Sequence, residues 1–282
     1  MTEPTAPTTA VLITGCSSGI GRAAALRLAR RRDLTVYATA RKVSTLADLA
    51  GAGCRTLALD VTDADSMAAA VNAIEAEHGA VGVLVNNAGY GEYGTVEETS
   101  LDRVRVQFET NVFGPARLIQ LVLPAMRAAR RGRIVNISSM GGRLVFPIGG
   151  YYHASKYALE AISDALRFEV APFDVHVIVV EPGLIRTGFE DTSVRTLASS
   201  KVDDGPYGRL TAVAQAQTVA GYRSRMAASP DAVARVIERA IRASRPRPRY
   251  LVTGAARALV HTRRLLGARV FDAFLRRQFG SA

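Results

Sequence analysis

Short runs of β-branched residues alternate with longer helical patterns through most of this 282-residue chain. This alternation restricts the fold strongly, because successive β–α–β units build a parallel sheet with helices on both faces. The runs are nearly continuous in apolar residues, as expected for strands that are buried on both faces. The predicted strands are 10–14, 35–39, 55–60, 81–86, 133–138, 175–180 and 249–252, and the predicted helices are 20–32, 63–78, 101–130, 152–170 and 230–243. We therefore predict a single α/β domain with a doubly wound, mostly parallel seven-stranded sheet.

The pattern changes at three places in the chain. Residues 1–9 are rich in Thr and Pro, and we expect them to form a disordered leader. Residues 10–253 are predicted to form one catalytic domain. Within it, residues 184–228 make a long insertion, and such connections at the carboxyl ends of parallel strands often carry substrate contacts. Residues 254–282 form a basic extension beyond the last predicted strand.

The net charge of +11 is concentrated in the last part of the sequence. Residues 242–282 contain ten arginines and one acidic residue, Asp272, whereas the rest of the chain is nearly neutral. No nucleic-acid-reading motif accompanies this charge, so we expect no nucleic-acid partner. The sequence also has no signal pattern and no apolar run of the ~20 residues that a membrane-spanning helix needs. We expect a cytoplasmic protein.

The two cysteines and four histidines are scattered along the sequence. Their spacing does not match that of metal ligands, so no metal site is expected. Cys16 and Cys54 are expected to be reduced thiols, because disulfides are rare in a reducing compartment.

A glycine-rich loop connects the first predicted strand to the first predicted helix. Glycines allow a sharp turn and a close approach of a ligand, and the N-terminus of the helix directs free N–H groups at an anion. This context favours a nucleotide site over a simple tight connection between strand and helix. The predicted contacts in the loop are Gly15, Ser17, Ser18, Gly19, Ile20 and Gly21.

The end of the second predicted strand indicates which nucleotide is bound. An acidic residue about 20 residues after the glycines usually binds the ribose hydroxyls of NAD. Here residues 34–47 contain no acid, and the strand is followed by Arg41, which suits the 2′-phosphate of NADP(H). Arg22 is a second candidate cation. The alternative is that Arg41 is an ordinary surface charge. Asp60 and Val61 end the third strand and suit contact with adenine.

Tyr152 and Lys156 lie four residues apart in a predicted helix, so their side chains share one face. A phenol has a pKa near ~10, too high for an efficient base at neutral pH. A nearby ammonium favours the phenolate and is expected to lower that pKa. The pair therefore suits proton transfer at a carbonyl or alcohol oxygen, although Tyr–Lys pairs at this spacing also occur on ordinary helix surfaces.

The ordered set of motifs resembles the classical short-chain dehydrogenase/reductase family. The glycine loop has three residues between its first two glycines and one between the next two. It is followed in order by Asp60, the Asn-Asn-Ala-Gly segment 86–89, Asn111, Ser139 and the Tyr-His-Ala-Ser-Lys segment 152–156. The segments 15–21, 37–41 and 152–156 look closest to the hydroxysteroid and retinol dehydrogenase branch. The resemblance implies a Rossmann-like fold and a homodimer or homotetramer.

The resemblance also implies roles for particular residues. Tyr152 acts as acid and base, Lys156 binds the nicotinamide ribose, and Ser139, thirteen residues before Tyr152, stabilises the carbonyl oxygen. Asn111, a polar residue within a predicted helix, is expected to bind a water for proton relay. Coenzyme contacts are implied for Asn87, Ala88, Gly89, Pro182, Gly183, Ile185 and Thr187.

The residues expected near the nicotinamide are mostly apolar and predict a bulky lipophilic carbonyl or alcohol, such as a steroid or retinoid. They are Leu144, Val145, Phe146, Ile148, Leu184, Phe189, Val194, Leu197, Tyr207, Leu210, Val213, Tyr222 and Met226. The alternative function is a catalytically silent NADP-binding regulator or a membrane-surface protein with the same fold. The presence of Ser139, Tyr152 and Lys156 favours the enzyme.

The basic extension predicts an amphipathic helix that Gly267 divides into two pieces. Its apolar residues recur at spacings near three and four. They are Leu259, Leu266, Val270, Phe271, Phe274 and Leu275, with arginines between them. Three alternatives remain open: the extension packs on its own domain near the substrate entrance, it forms a subunit interface, or it contacts an anionic membrane surface peripherally.

Overall fold

A computed structural model describes residues 9–200 and 205–280 of the chain. Its seven strands form one sheet in which every pair is parallel, with the order β3-β2-β1-β4-β5-β6-β7. The strands are β1 (Thr9–Ile13), β2 (Leu34–Ala40), β3 (Arg55–Ala58), β4 (Val83–Asn86), β5 (Gly132–Ile137), β6 (Val175–Glu181) and β7 (Arg249–Leu251). The order reverses between β1 and β4, which creates the crevice where such sheets bind ligands.

Ten α-helices are present in the described residues. They are α1 (Gly19–Ala29), α2 (Ala47–Gly51), α3 (Ala64–His78), α4 (Leu101–Phe108), α5 (Gly114–Ala128), α6 (Gly150–Val170), α7 (Phe189–Ser200), α8 (Gly208–Arg223), α9 (Pro230–Arg242) and α10 (Gly254–Phe279). The predicted doubly wound α/β fold is thus confirmed. Thr9 belongs to β1 rather than to the predicted leader, and residues 1–8 lie outside the described residues.

Alternate residues of the central strand β1 enter two different apolar cores. Val11 and Ile13 pack with residues of α1 and α9 on one face, whereas Leu12 packs with residues of α3, α5 and α6 on the other. A strand between two cores needs apolar side chains in both directions, which explains the nearly continuous apolar runs in the sequence.

The region predicted as one helix, 101–130, contains a wide turn between α4 and α5. Residues Glu109–Phe113 form a π-helical turn. Pro115 explains the change, because a proline inside a helix has no N–H for the usual bond and its ring crowds the carbonyl four residues earlier. The turn directs Asn111 into the protein, where it is 1% exposed, while Phe113 faces solvent. The insertion 184–228 also differs from a simple connection, because it contains α7 and α8.

A buried chain of polar side chains connects the centre of the sheet to α6. Asn86 and Asn136 are paired in register on β4 and β5, and the Asn86 Nδ2 donates to the Asn136 Oδ1 at 2.9 Å. The Asn136 Nδ2 donates to the Ser163 Oγ at 2.8 Å, and that hydroxyl donates to the Leu159 carbonyl at 2.6 Å. These hydrogen bonds therefore fix the positions of β4 and β5 relative to α6, the helix that carries Tyr152.

Helix α10 covers one end of the domain and bends at Gly267, whose φ of 74° is not helical. Leu259, Phe271 and Leu275 pack in an apolar cluster with Leu144. The remaining apolar residues of the predicted set are Leu266, Val270 and Phe274, and they are exposed. The structure thus divides that set between the domain and the solvent. Among the described residues, no helix is long and apolar enough to cross a bilayer.

Candidate active site

One cavity of about 1470 Å³ follows the carboxyl ends of the strands. Gly21 and Asn111 are buried and lie outside its lining. The other predicted site residues all line it: Gly15, Ser17, Ser18, Gly19, Ile20, Arg41, Asp60, Val61, Asn87, Ala88, Gly89, Ser139, Tyr152, Lys156, Pro182, Gly183, Ile185 and Thr187. The fold therefore brings segments that are far apart in sequence to one site.

The glycine loop between β1 and α1 has the close backbone packing and the uncapped helix N-terminus that an anion-binding loop needs. Gly15 has a φ of +71°, and a Cβ on it would lie 2.9 Å from the Ala88 Cα. A Cβ on Gly21 would lie 2.4 Å from the Gly15 carbonyl oxygen, so both positions require glycine. The side chain of Ser18, the residue before α1, makes no capping bond to the helix. The first N–H groups of α1 are therefore available to an anion.

Asn87 and Thr14 attach this loop to the end of β4. The Asn87 Nδ2 donates to the carbonyls of Thr14 at 2.8 Å and Gly15 at 3.1 Å. The Thr14 Oγ1 accepts from the N–H groups of Asn87 at 3.0 Å and Ala88 at 2.9 Å. Thr14 was not among the predicted site residues. Its position in the sequence, at the end of a strand and directly before the first glycine, could have identified it as a residue that supports the loop.

The end of the cavity next to β2 and β3 carries the residues predicted to bind the adenosine part. Arg41 follows β2 and is exposed at the cavity. The Asp60 Oδ1 accepts from the Thr62 N–H at 2.9 Å and from its hydroxyl at 2.8 Å. Arg22 does not line the cavity but forms an ion pair with Asp48 of α2. Of the two predicted cations, Arg41 therefore faces the site and Arg22 does not.

Tyr152 lies in the first turn of α6 and is 6% exposed. Burial raises the pKa of its phenol to about 12, while a hydrogen bond with the Ser139 hydroxyl acts in the opposite direction. The sequence-based expectation of a lowered pKa is therefore wrong for this structure, because burial has the larger effect. The neighbouring Tyr151 faces elsewhere, and its hydroxyl donates to the Val96 carbonyl at 3.2 Å.

Ser139 begins a short helical turn, Met140–Gly142, directly after β5. Its Oγ accepts from the Gly141 N–H at 3.0 Å, which leaves the hydroxyl hydrogen for another acceptor. The Met140 N–H donates to the Pro182 carbonyl at 2.8 Å, so the segments after β5 and β6 are joined beside Ser139.

Lys156 is buried one helical turn after Tyr152, and its Nζ donates to the Ile137 carbonyl at 3.0 Å. Burial lowers the pKa of Lys156 to about 8, and the Glu160 carboxylate acts in the opposite direction. A Cβ on Gly89 would lie 3.6 Å from this Nζ and 2.9 Å from the Asn111 Oδ1. The absence of a side chain at Gly89 thus keeps space beside both polar groups.

Asn111 holds the segment after β4 in place. Its Nδ2 donates to the Tyr90 carbonyl at 2.8 Å and to the Ser155 Oγ at 3.1 Å, and its Oδ1 accepts from the Tyr90 N–H at 3.1 Å. The side chain therefore connects the π-helical turn, the β4 loop and α6.

His153 organises the loop that follows Ser139. Its Nε2 accepts from the Phe146 N–H at 3.2 Å, so its Nδ1 carries the proton and donates to the Gly141 carbonyl at 3.0 Å. Burial lowers the pKa of His153 to about 4, with the Gly141 bond acting in the opposite direction. The sequence showed a histidine beside Tyr152, but only the structure places its ring against the loop.

The segment after β6 borders the site next to the glycine loop. The Thr187 Cγ2 would lie 3.3 Å from a Cβ on Gly19, and the Thr187 Oγ1 accepts from the Phe189 N–H at 3.2 Å. A Cβ on Gly183 would lie 2.3 Å from the Thr253 Oγ1. Ile185 pairs with Ala228 in an isolated bridge. The Thr187 contact places this segment, which carries predicted coenzyme contacts, beside the glycine loop.

The remainder of the cavity is mainly apolar and extends between α7, α8 and α10. Seven of the residues predicted to line the substrate space border this part of the cavity: Phe146, Ile148, Leu184, Phe189, Leu197, Tyr222 and Met226. Leu144 instead packs against α10, Val145 is exposed, and the Tyr207 hydroxyl donates to Glu97 at the surface. Val194, Leu210 and Val213 also lie outside the lining.

Several known proteins are similar to this chain in sequence. Residues 9–198 match the short chain dehydrogenase family. The chain is 45% identical to a 3-ketodihydrosphingosine reductase of Bacteroides thetaiotaomicron over 181 residues, a match that covers 64% of this chain and 65% of that protein. It is 37% identical to the uncharacterized oxidoreductase YbbO of Escherichia coli, with 94% and 93% covered. It is 36% identical to human 17-beta-hydroxysteroid dehydrogenase type 1, with 87% and 77% covered.

Solved structures show the same fold. A short-chain dehydrogenase from Streptomyces avermitilis is 34% identical, with a TM-score of 0.80 over 97% of this chain and 96% of that one. A dehydrogenase from Burkholderia phymatum in complex with NAD is 26% identical, with a TM-score of 0.78 over 98% and 97%. An actinorhodin polyketide ketoreductase with NADPH is 29% identical, with a TM-score of 0.75 over 88% and 97%. Motifs, fold and relatives agree, and the chain belongs to the short-chain dehydrogenase/reductase family of NAD(P)-binding oxidoreductases.

Proposed function

We propose that the chain is an NADP(H)-dependent oxidoreductase that interconverts a carbonyl group and a secondary alcohol on a bulky, apolar substrate. The observation that carries the proposal is the meeting of Ser139, Tyr152 and Lys156 in one cavity with the glycine loop. A purely structural role would not require a buried phenol, a hydroxyl and an ammonium at the mouth of an apolar space.

The side chains support a division of roles in the reaction. A bound nicotinamide coenzyme supplies or accepts the hydride. The Ser139 hydroxyl donates a hydrogen bond to the substrate oxygen, and the Tyr152 hydroxyl donates a proton to it in reduction or removes one in oxidation. Because burial raises the pKa of Tyr152 to about 12, the phenol carries its proton at neutral pH and can donate it to the substrate oxygen in reduction. Lys156, with a pKa lowered by burial to about 8, is still mostly charged there and stabilises the phenolate.

Asn111 acts through its neighbours in this proposal. Its amide is bonded to the Tyr90 backbone and the Ser155 hydroxyl, so it keeps the walls around Gly89 and Lys156 in position. Binding of a water for proton relay stays a prediction for this residue.

The preference for NADP(H) rests on charge. Arg41 is exposed at the adenosine end of the cavity, and residues 34–47 contain no acid that would repel a 2′-phosphate. The related structures include one with NAD and one with NADPH, so the argument depends on this chain's own residues.

An apolar substrate is supported by the cavity between α7, α8 and α10 and by the names of two relatives. One relative is a reductase of 3-ketodihydrosphingosine and another is a hydroxysteroid dehydrogenase, and both names describe lipophilic molecules. Formation of a homodimer or homotetramer remains a prediction, as does a cytoplasmic location.

Turnover of coenzyme with a matched set of substrates tests the proposal. The purified chain is mixed with NADPH or NADH and with a long-chain 3-ketone, a 17-ketosteroid, retinal or a short hydrophilic ketone, and the loss of nicotinamide absorbance is followed. We expect faster oxidation of NADPH with the apolar carbonyls. Coenzyme binding without turnover of any carbonyl or alcohol would support the silent regulator instead.

A further inference from the structure

Helix α10 exposes large apolar side chains on both sides of its bend at Gly267. Leu265 is 79% exposed and Leu266 is 56% exposed, immediately before the bend. Val270 and Phe274, one turn apart after it, are also exposed. A soluble domain seldom leaves neighbouring large apolar residues in water unless they contact something. These four residues are called the α10 patch below.

Arginines surround the α10 patch. Arg264, Arg269, Arg276 and Arg277 are exposed. Within residues 9–200 and 205–280, none of these four forms an ion pair, and Asp272 is the one acidic residue of the helix. The surface therefore combines uncompensated positive charge with apolar side chains, and its partner must offer both negative charge and an apolar phase.

The same helix borders the apolar part of the cavity. Phe274 belongs to the α10 patch and also lines the cavity, together with Ala255, Ala258, Leu259 and Phe279 of the helix. A partner that covers the α10 patch would therefore lie next to the space where we propose that the substrate binds.

We propose that the α10 patch binds the surface of an anionic lipid membrane. The arginines would contact lipid headgroups, and Leu265 and Leu266 would enter the boundary with the acyl chains. A second copy of the chain fits this surface poorly, because a two-fold contact would bring the arginine clusters together. Nucleic acid would satisfy the arginines but not the exposed leucines. The location of the cavity then suggests, on the basis of the proposed function, that a lipophilic substrate reaches the active site from the membrane.

Sedimentation of the full chain with lipid vesicles tests this proposal without measuring activity. Vesicles of phosphatidylcholine alone are compared with vesicles that also contain phosphatidylglycerol, at low and high salt. We expect binding to the anionic vesicles that weakens with salt. The Arg264→Ala/Arg269→Ala double variant should bind more weakly by about fivefold per arginine, and Leu265→Asp/Leu266→Asp should lower the partition coefficient by about tenfold or more.

The control variant is Phe168→Asp, because Phe168 is 77% exposed on α6 and lies beside Arg167. It should bind anionic vesicles as the unchanged protein does. Absence of binding to anionic vesicles, or equal weakening by Phe168→Asp and by the leucine variant, would overturn the proposal. A change of oligomeric size in Leu265→Asp/Leu266→Asp with unchanged vesicle binding would also overturn it and would assign the patch to a subunit interface. Loss of turnover with intact vesicle binding would instead count only against the proposed reaction.

Discussion

The ring of Tyr93 is stacked on the ring of Tyr152, with their centroids 5.5 Å apart and their planes inclined at 28°. Phe189 contacts Tyr152 from α7 at the same centroid distance, with an interplanar angle of 57°. The proposed acid is thus held between a loop that follows β4 and a helix of the insertion. Its orientation depends on aromatic contacts as well as on its own helix.

Replacing Tyr93 with leucine should disturb the orientation of Tyr152 without removing the Tyr152 hydroxyl. An aromatic pair contributes about 0.5–1.5 kcal/mol beyond the area it buries, so we expect a loss of at least that size in the free energy of unfolding. We also expect a lower kcat with little change in coenzyme affinity. Thermal unfolding and steady-state kinetics measure both effects. Tyr151→Leu on the same helix is the control, and an equal effect of the two changes would contradict the role of the stack.

Tyr152→Phe removes the proposed proton donor and retains the ring. Turnover should fall by roughly 10²-fold or more, since general acid catalysis contributes about that factor. Coenzyme affinity, measured by fluorescence titration, should change little. Tyr151→Phe is a matched control, because it also removes one hydroxyl from α6, and it should keep nearly full activity. A Tyr152→Phe enzyme with near-normal turnover would show that another group supplies the proton.

Arg41→Ala should weaken binding of NADPH and leave binding of NADH nearly unchanged. A hydrogen bond with a charged group contributes about 1.5–3 kcal/mol, which corresponds to roughly ten- to hundredfold in affinity. Lys42→Ala removes the next positive charge along the chain and serves as the control. Isothermal titration with both coenzymes measures the effect. Equal affinities of the unchanged protein for NADPH and NADH would refute the proposed preference.

His153 should make the fold sensitive to mild acid. Burial lowers its pKa from 6.5 to about 4, so between these values the unfolded chain binds a proton that the folded protein does not. Above pH 6.5 the free energy of unfolding is not reduced by this residue. It decreases as the pH falls from 6.5 toward 4, by about 3 kcal/mol in total. His153→Gln should therefore lose less stability than the unchanged protein over this range.

Denaturant unfolding at several pH values measures this difference. His176→Gln, at a partly exposed histidine of β6, is the control and should show the same pH dependence as the unchanged protein. Parallel curves for the unchanged protein and His153→Gln would mean that His153 is not buried in its neutral form.

The sheet and the proposed catalytic residues could be predicted because both depend on local patterns. Apolar runs located all seven strands, and the ordered motifs located Tyr152, Lys156 and Ser139. The wide turn before Pro115 was also accessible in principle, because the effect of a proline within a helix is local. The helices of the insertion, α7 and α8, were harder to predict from the sequence, since their apolar residues do not follow one clear period.

The pKa of Tyr152 could not be predicted from the spacing of Tyr152 and Lys156. Spacing along a helix brings the two side chains to one face, but it does not determine how much water the rest of the fold removes from each of them. In this structure that removal decides the direction of both pKa shifts. The contacts of His153 and Tyr93 depend in the same way on loops that meet only after folding.

The buried bonds between Asn86, Asn136 and Ser163 have a consequence for how the chain finds its register. Strands β4, β5 and β6 carry similar apolar sequences, and apolar packing alone distinguishes weakly between a correct pairing and one shifted by two residues. A shifted β5 would separate the two amides and leave each buried without its partner, at a cost of about 1–3 kcal/mol per group. The two amides therefore disfavour a shifted pairing of β4 and β5, and the carboxyl ends of these strands form part of the active site.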